Sequence, residues 1–234
     1  MISKSFANID AETLSRLVLD RMDEGPTLEF KETLPDRTDR GIVEFLKDVG
    51  GMANSFGGDI VYGIREADGV AAEVAPIQGE TYDDASRRLG QMLDSGIEPR
   101  LQDVQMKGVE VDGGYAVVVR VGQSQIGPHR TSRNGQHRFP VRNSGYTADM
   151  SYDQLRMAFD RSASLAERAR NFRKDRLEAI AALNYGVRQQ TSVVVHVLPL
   201  AGMGTGSRID IRDAYANPAV LEGPRWMGTT RSYN

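Results

Sequence analysis

The chain contains no cysteine, one tryptophan and three histidines, His129, His137 and His196. Without cysteine it has no disulfide, no thiolate zinc site and no Cys–His catalytic pair, and the histidines are not spaced as zinc ligands. Any metal it holds is therefore held mainly by oxygen. No apolar run reaches the roughly 18 residues of a membrane span. Met1-Ile2-Ser3-Lys4 does not lead into the apolar core of a signal peptide, so no membrane association and a cytoplasmic location are expected. There is no G-x-x-x-x-G-K-[ST] phosphate loop. Gly202-Met203-Gly204-Thr205-Gly206 precedes a strand-like segment rather than a helix, which fits a hairpin loop better than a dinucleotide fingerprint, and no nucleotide cofactor is expected. No serine nucleophile elbow is present, and His196 in an apolar strand reads as a core residue.

The 234 residues are 40% hydrophobic and 26% charged, enough for a sizeable core, and the net charge of −3 conceals a division. Residues 1–84 carry 8 Lys/Arg against 18 Asp/Glu, whereas residues 85–150 carry 9 against 6 and residues 151–234 carry 12 against 8. Arg120 to Ala148 holds five arginines, two histidines and no acid. Separate acidic and basic regions suit a protein that takes cations at one and phosphates at the other, although solvated faces segregate charge as well.

Apolar spacing predicts a helix over Ile9 to Met22, with Asn8 or Asp10 as its cap, stopped by Gly25-Pro26. Thr27 to Lys31 reads as a short strand with Leu28 and Phe30 on one face and Glu29 and Lys31 on the other. A second helix is expected over Asp39 to Asn54, closed by Gly57-Gly58. The strand Asp59 to Ile64 follows, apolar on both faces and hence interior, with Glu66 to Gly69 as the next turn. A third helix is expected over Asp83 to Leu93. Asp112-Gly113-Gly114 marks a hairpin between Leu101 to Val111 and Tyr115 to Val121, and His137 to Arg142 is a further strand. A helical pattern runs from Ser151 toward Leu183 with a break near Ser162 to Ser164. A strand, Ser192 to Leu200, and Arg208 to Ile211 complete the reading. This order predicts an α+β fold over residues 8–160, a mixed β-sheet flanked by helices, with a helical and β extension over 161–234 that looks like the start of a second domain.

Within this frame Glu24, Glu29 and Glu66 can converge at one end of the sheet. Three hard oxygen donors there would suit Mg2+ or Mn2+, which activates water and offsets charge on a phosphodiester. Lys31 then steadies the phosphate or pairs with Glu29. The blander reading is a Glu29–Lys31 ion pair at a strand end with Glu24 and Glu66 as solvated loop acids. Arg130, Arg133, Arg138 and Arg142, with His129 and His137, are candidates for phosphate contact, and Phe139 and Tyr146 for stacking on unpaired bases; a solvated loop with Phe139 in the core is the alternative.

Glu24-x-x-x-x-Glu29-Phe30-Lys31, then Ala53-Asn54-Ser55-Phe56-Gly57-Gly58, then Ile60-Val61-Tyr62-Gly63-Ile64, and more weakly Phe139 to Thr147, together resemble the Schlafen AlbA-2 domain family over about residues 15–160. The resemblance implies nucleic-acid binding, and some members are metal-dependent ribonucleases whose acid triad corresponds to Glu24, Glu29 and Glu66. The third acid is Glu where Asp is usual, which moves its carboxylate by one methylene. Other members are DNA-binding or regulatory modules. Longer bacterial relatives continue past the position where this chain ends. Three readings stay open: a metal-dependent endoribonuclease, a non-catalytic DNA-binding or regulatory module, and an interaction domain of a homo-oligomer.

Overall fold

The computed structural model describes residues 1–143 and 146–183; the strand expected over Ser192 to Leu200, the glycine loop at 202–206, Arg208 to Ile211 and His196 lie outside the described residues. The chain divides into two compact units, Met1–Ser164 and Leu165–Asn234. No described helix is long and apolar enough to cross a membrane.

The fold is α+β, built on a four-stranded mixed sheet. β1 (Leu28–Lys31) pairs in parallel with β2 (Gly58–Tyr62). β2 pairs antiparallel with β7 (Gly114–Val121), and β7 with β6 (Val104–Val111). The parallel pair is joined by the crossover helix α2 (Asp39–Asn54), which begins where the Thr38 hydroxyl accepts from the Gly41 N–H at 3.2 Å. β2 is interior as its two apolar faces require: Ile60 and Tyr62 meet α2 and α3 (Tyr82–Gly96), and Val61 packs with Leu14 and Leu17 of α1 (Ala11–Leu19). Helices therefore cover both faces.

Several boundaries differ from expectation for visible reasons. α1 is capped by Asp10, whose carboxylate accepts from Thr13 N at 2.9 Å. It stops at Leu19 rather than Met22 because Arg21 takes a left-handed φ of 47°. The expected strand Asp59 to Ile64 is two strands. Gly63, at φ 94°, breaks it after Tyr62, and the chain resumes as β3 (Ile64–Ala67), which turns through Asp68 and Gly69 into β4 (Val70–Val74). Glu66 is thus a strand residue beside the turn. After β5 (Ile97–Glu98) and the β6–β7 hairpin, β8 (Arg130–Arg133) and β9 (Gln136–Arg138) form one hairpin and β10 (Pro140–Arg142) and β11 (Thr147–Asp149) another. The single strand expected over His137 to Arg142 is thus divided between β9 and β10. α4 (Tyr152–Leu183) runs without the break expected near Ser162 to Ser164.

Candidate functional site

Strand alternation turns Leu28 and Phe30 into the core shared with α1 and leaves Glu29 and Lys31 on the α2 side of the sheet. Their side chains meet there, with Lys31 Nζ 2.5 Å from Glu29 Oε1. The other Glu29 oxygen pairs with the Arg142 guanidinium, which also donates to the Gly25 carbonyl at 3.0 and 3.2 Å. Arg142 is only 5% exposed and Glu29 8%. Arg142 therefore differs from the other arginines singled out in the sequence: its guanidinium neutralises an interior carboxylate and is not offered to solvent.

Asp48 of α2 completes this cluster, its carboxylate 3.9 Å from Lys31 Nζ. Burial, reinforced by the charge of Glu29 and opposed by Lys31 and Arg142, raises the Asp48 carboxyl to about 6. Burial alone would lower the Lys31 amine, but its hydrogen bond to Glu29 and the charges of Glu29, Asp48 and Glu24 outweigh this, and the net shift is upward. The sequence reading overlooked Asp48. A signal existed: it lies three residues after Phe45 and four before Met52, on the apolar face of α2 where helical spacing calls for a hydrophobic residue.

Glu24 is half-buried and accepts from Phe30 N at 2.6 Å. Burial raises its carboxyl, the Phe30 bond opposes the rise, and the charges of Glu29 and Glu66 add to it. Glu66 is exposed and accepts from Gly69 N at 2.9 Å. Glu24 thus sits near enough to feel the charges of Glu29 and Glu66, and carboxylate oxygens are the donor type that Mg2+ or Mn2+ takes. The three glutamates do not form a ligand cage: among the described residues no group of three His, Cys, Asp or Glu side chains is gathered to hold a metal. Each carboxylate already has a partner within the chain.

The Asn54-Ser55-Phe56-Gly57-Gly58 segment is the joint between this cluster and the two hairpins. Asn54 Nδ2 donates to the carbonyls of His129 and Pro140, both at 2.8 Å, and its Oδ1 accepts from His129 N at 2.7 Å. Ser55 Oγ accepts from Arg142 N at 2.8 Å. Gly57 holds φ 71°, and a Cβ there would lie 2.6 Å from the Val121 carbonyl oxygen. His129 is wholly buried; its Nδ1 contacts the Pro99 carbonyl and its Nε2 the Ser124 hydroxyl, each at 2.6 Å, and burial lowers its pKa despite the Pro99 bond.

The remaining basic candidates lie toward solvent. Arg130 pairs with Glu98 at 2.6 Å, Arg133 with Asp39 at 2.8 Å and Arg138 with Asp149 at 3.2 Å. Arg133 also lines a groove of about 460 Å3 with Arg40 and Lys47 of α2. His137 is exposed on β9. Of the aromatics, Phe139 packs edge-on against Phe159 at 6.1 Å between centroids, and Tyr146 is exposed.

The fold and this joint coincide with a known family: Schlafen, AlbA_2 matches residues 24–151, more than half of the chain, and the protein belongs to that family. No curated protein matches it. Among solved structures it is similar to the DIP2311 protein from Corynebacterium diphtheriae, with 15% identity and a TM-score of 0.40 over 60% of this chain and 30% of that one. It is also similar to the N-terminal domain of a RecG-related protein from Nitrosomonas europaea, with 19% identity and a TM-score of 0.43 over 60% of this chain and 92% of that domain. The chain thus spans under a third of the first of these proteins.

Proposed function

We propose that the Met1–Ser164 unit is a nucleic-acid-binding module whose β8–β9 hairpin supplies the phosphate contacts. The observation that carries this reading is the placement of Arg130, Arg133 and Arg138 on the solvent side, paired with acids that are themselves exposed. Such surface pairs contribute about 0–1 kcal/mol each, so a phosphate can displace the acid at small cost. Membership of the Schlafen AlbA_2 family supports the same reading. In binding assays with tRNA, single-stranded RNA and double-stranded DNA, affinity should fall steeply between about 50 mM and about 200 mM salt. Replacing the three arginines by alanine should abolish most of it. A wild-type protein that binds none of these at low salt would overturn the proposal and turn attention to the homo-oligomeric interaction domain, read by light scattering.

Metal-dependent RNA cleavage at Glu24, Glu29 and Glu66 is the second reading, favoured by one observation: the neighbouring charges of Glu29 and Glu66 add to the upward shift of Glu24. A bound Mg2+ or Mn2+ would relieve that repulsion and supply the activated water. Cleavage of tRNA that requires Mn2+ or Mg2+, stops with EDTA and is lost in Glu66→Ala would establish it. Glu66 is the residue to change because it is exposed; Glu29→Ala strands the Arg142 charge in the interior.

A further inference from the structure

We propose that Phe56 is a base-stacking platform that directs the module to unpaired bases of single-stranded nucleic acid. This rests on the nucleic-acid-binding reading above and adds the substrate class.

Phe56 is 64% exposed at the C-terminal end of α2, while the backbone around it is fixed. Ser55 N and Gly57 N both donate to the Met52 carbonyl, at 3.1 and 2.9 Å. Gln123 Nε2 donates to the Ser55 carbonyl at 2.6 Å, and the close approach of Gly57 to Val121 leaves no room for a side chain at that position. The ring is therefore presented from a rigid base, so little ordering entropy is lost when a ligand settles on it. Its neighbours in the turn are Asn54, Ser55 and two glycines. A ring whose chain neighbours are polar or lack side chains matches one nucleobase in size, whereas a protein partner needs a contiguous apolar patch.

The turn is also tied to the basic hairpins. Asn54 holds the backbone of His129, next to Arg130, and of Pro140, two residues from Arg138. Ser55 holds Arg142, and beyond it the tip of the β10–β11 hairpin carries Tyr146, 65% exposed. An exposed aromatic side chain on a turn that is bonded to the strands carrying cationic side chains is the combination that tracks a single strand: the cations follow the phosphates and the ring takes a base. A duplex keeps its bases stacked and withholds them from such a ring.

The test is fluorescence anisotropy with single-stranded RNA, single-stranded DNA and a duplex of equal length. The proteins are the wild type, Phe56→Ala, Phe56→Tyr and the Arg130/Arg133/Arg138 triple alanine variant. Phe56→Ala should weaken binding to single strands about tenfold and leave both duplex binding and the salt slope unchanged. Phe56→Tyr should retain wild-type affinity. A 2-aminopurine base in the oligonucleotide should be quenched by the wild type and not by Phe56→Ala. Loss on both backbones assigns the contact to the base, and loss on one names the preferred backbone. Single-strand affinity unchanged in Phe56→Ala, or lowered equally for the duplex, overturns the proposal. If the triple arginine variant has then lost binding, the module reading stands without Phe56; if the wild type binds no nucleic acid, both fail.

Discussion

Arg142 and Glu29 form an interior ion pair across two strands, β10 and β1, that do not pair with each other. The pair joins the second hairpin to the edge of the main sheet through side chains alone. Removing one partner leaves the other charged and buried, which typically costs about 3–5 kcal/mol. Arg142→Ala should lower the urea-unfolding free energy by less than that, because Lys31 still pairs with Glu29. Arg142→Lys should recover only part of it, because one ammonium cannot reproduce both the carboxylate contact and the paired bonds to Gly25. Unfolding free energies equal to the wild type would show that water enters the site.

Asn54 stands at the crossing of α2 with the first residues of β8 and β10. Asn54→Ala removes two donors and one acceptor at once, and leaving backbone groups unsatisfied costs about 1–3 kcal/mol apiece where they are buried. The expected loss is at least about 2 kcal/mol. Amide exchange should quicken first at His129 and along β8 while β2 and β7 stay protected. Uniform quickening across all strands would contradict this account.

The Asp48 carboxyl, at about 6 in the folded protein against 3.8 as a free side chain, holds its proton more tightly when folded. The contribution of Asp48 to stability therefore falls as pH rises from about 4 to about 6 and is level above that. Asp48→Asn should remove this slope. At neutral pH it should add up to about 3 kcal/mol, less whatever the Lys31 contact contributes. The carboxyl carbon shift of Asp48, followed by NMR, should titrate with a midpoint near 6; a midpoint near 4 would mean that burial is relieved in solution.

Two glycines with similar dihedral angles should respond differently to alanine. Gly69, at φ 76° with open space around it, should lose about 1 kcal/mol from the left-handed conformation alone. Gly57, at φ 71°, adds a collision with the backbone of Val121 and Gln123 and should lose considerably more. Equal melting temperatures for the two variants would refute the close approach.

Much of this architecture could be read from short-range pattern. The bounds of α2 follow from its apolar spacing and the glycines beyond it, and the alternation in β1 sufficed to put Glu29 and Lys31 on one face. The β3–β4 hairpin was illegible because Gly63 interrupts an apolar run that otherwise reads as one strand, and Val70 to Val74 has little alternation. The partner of Glu29 could not be found by spacing: Arg142 lies in a stretch that looks uniformly basic, and only the fold separates the one buried guanidinium from those of Arg130, Arg133 and Arg138. Asp48 was hidden differently, as a charge occupying an apolar helical position whose purpose depends on a lysine from another element.

The Arg142 guanidinium reaches back 117 positions to the Gly25 carbonyl, and the carboxylate it neutralises lies just beyond. On the ribosome, β1, α2 and β2 emerge long before that arginine exists. During this interval Glu29 has Lys31 as a counter-charge but lacks the residue that seals it from water. The burial of Glu29 therefore cannot be completed until the β10–β11 hairpin is in place, however early β1 and β2 pair.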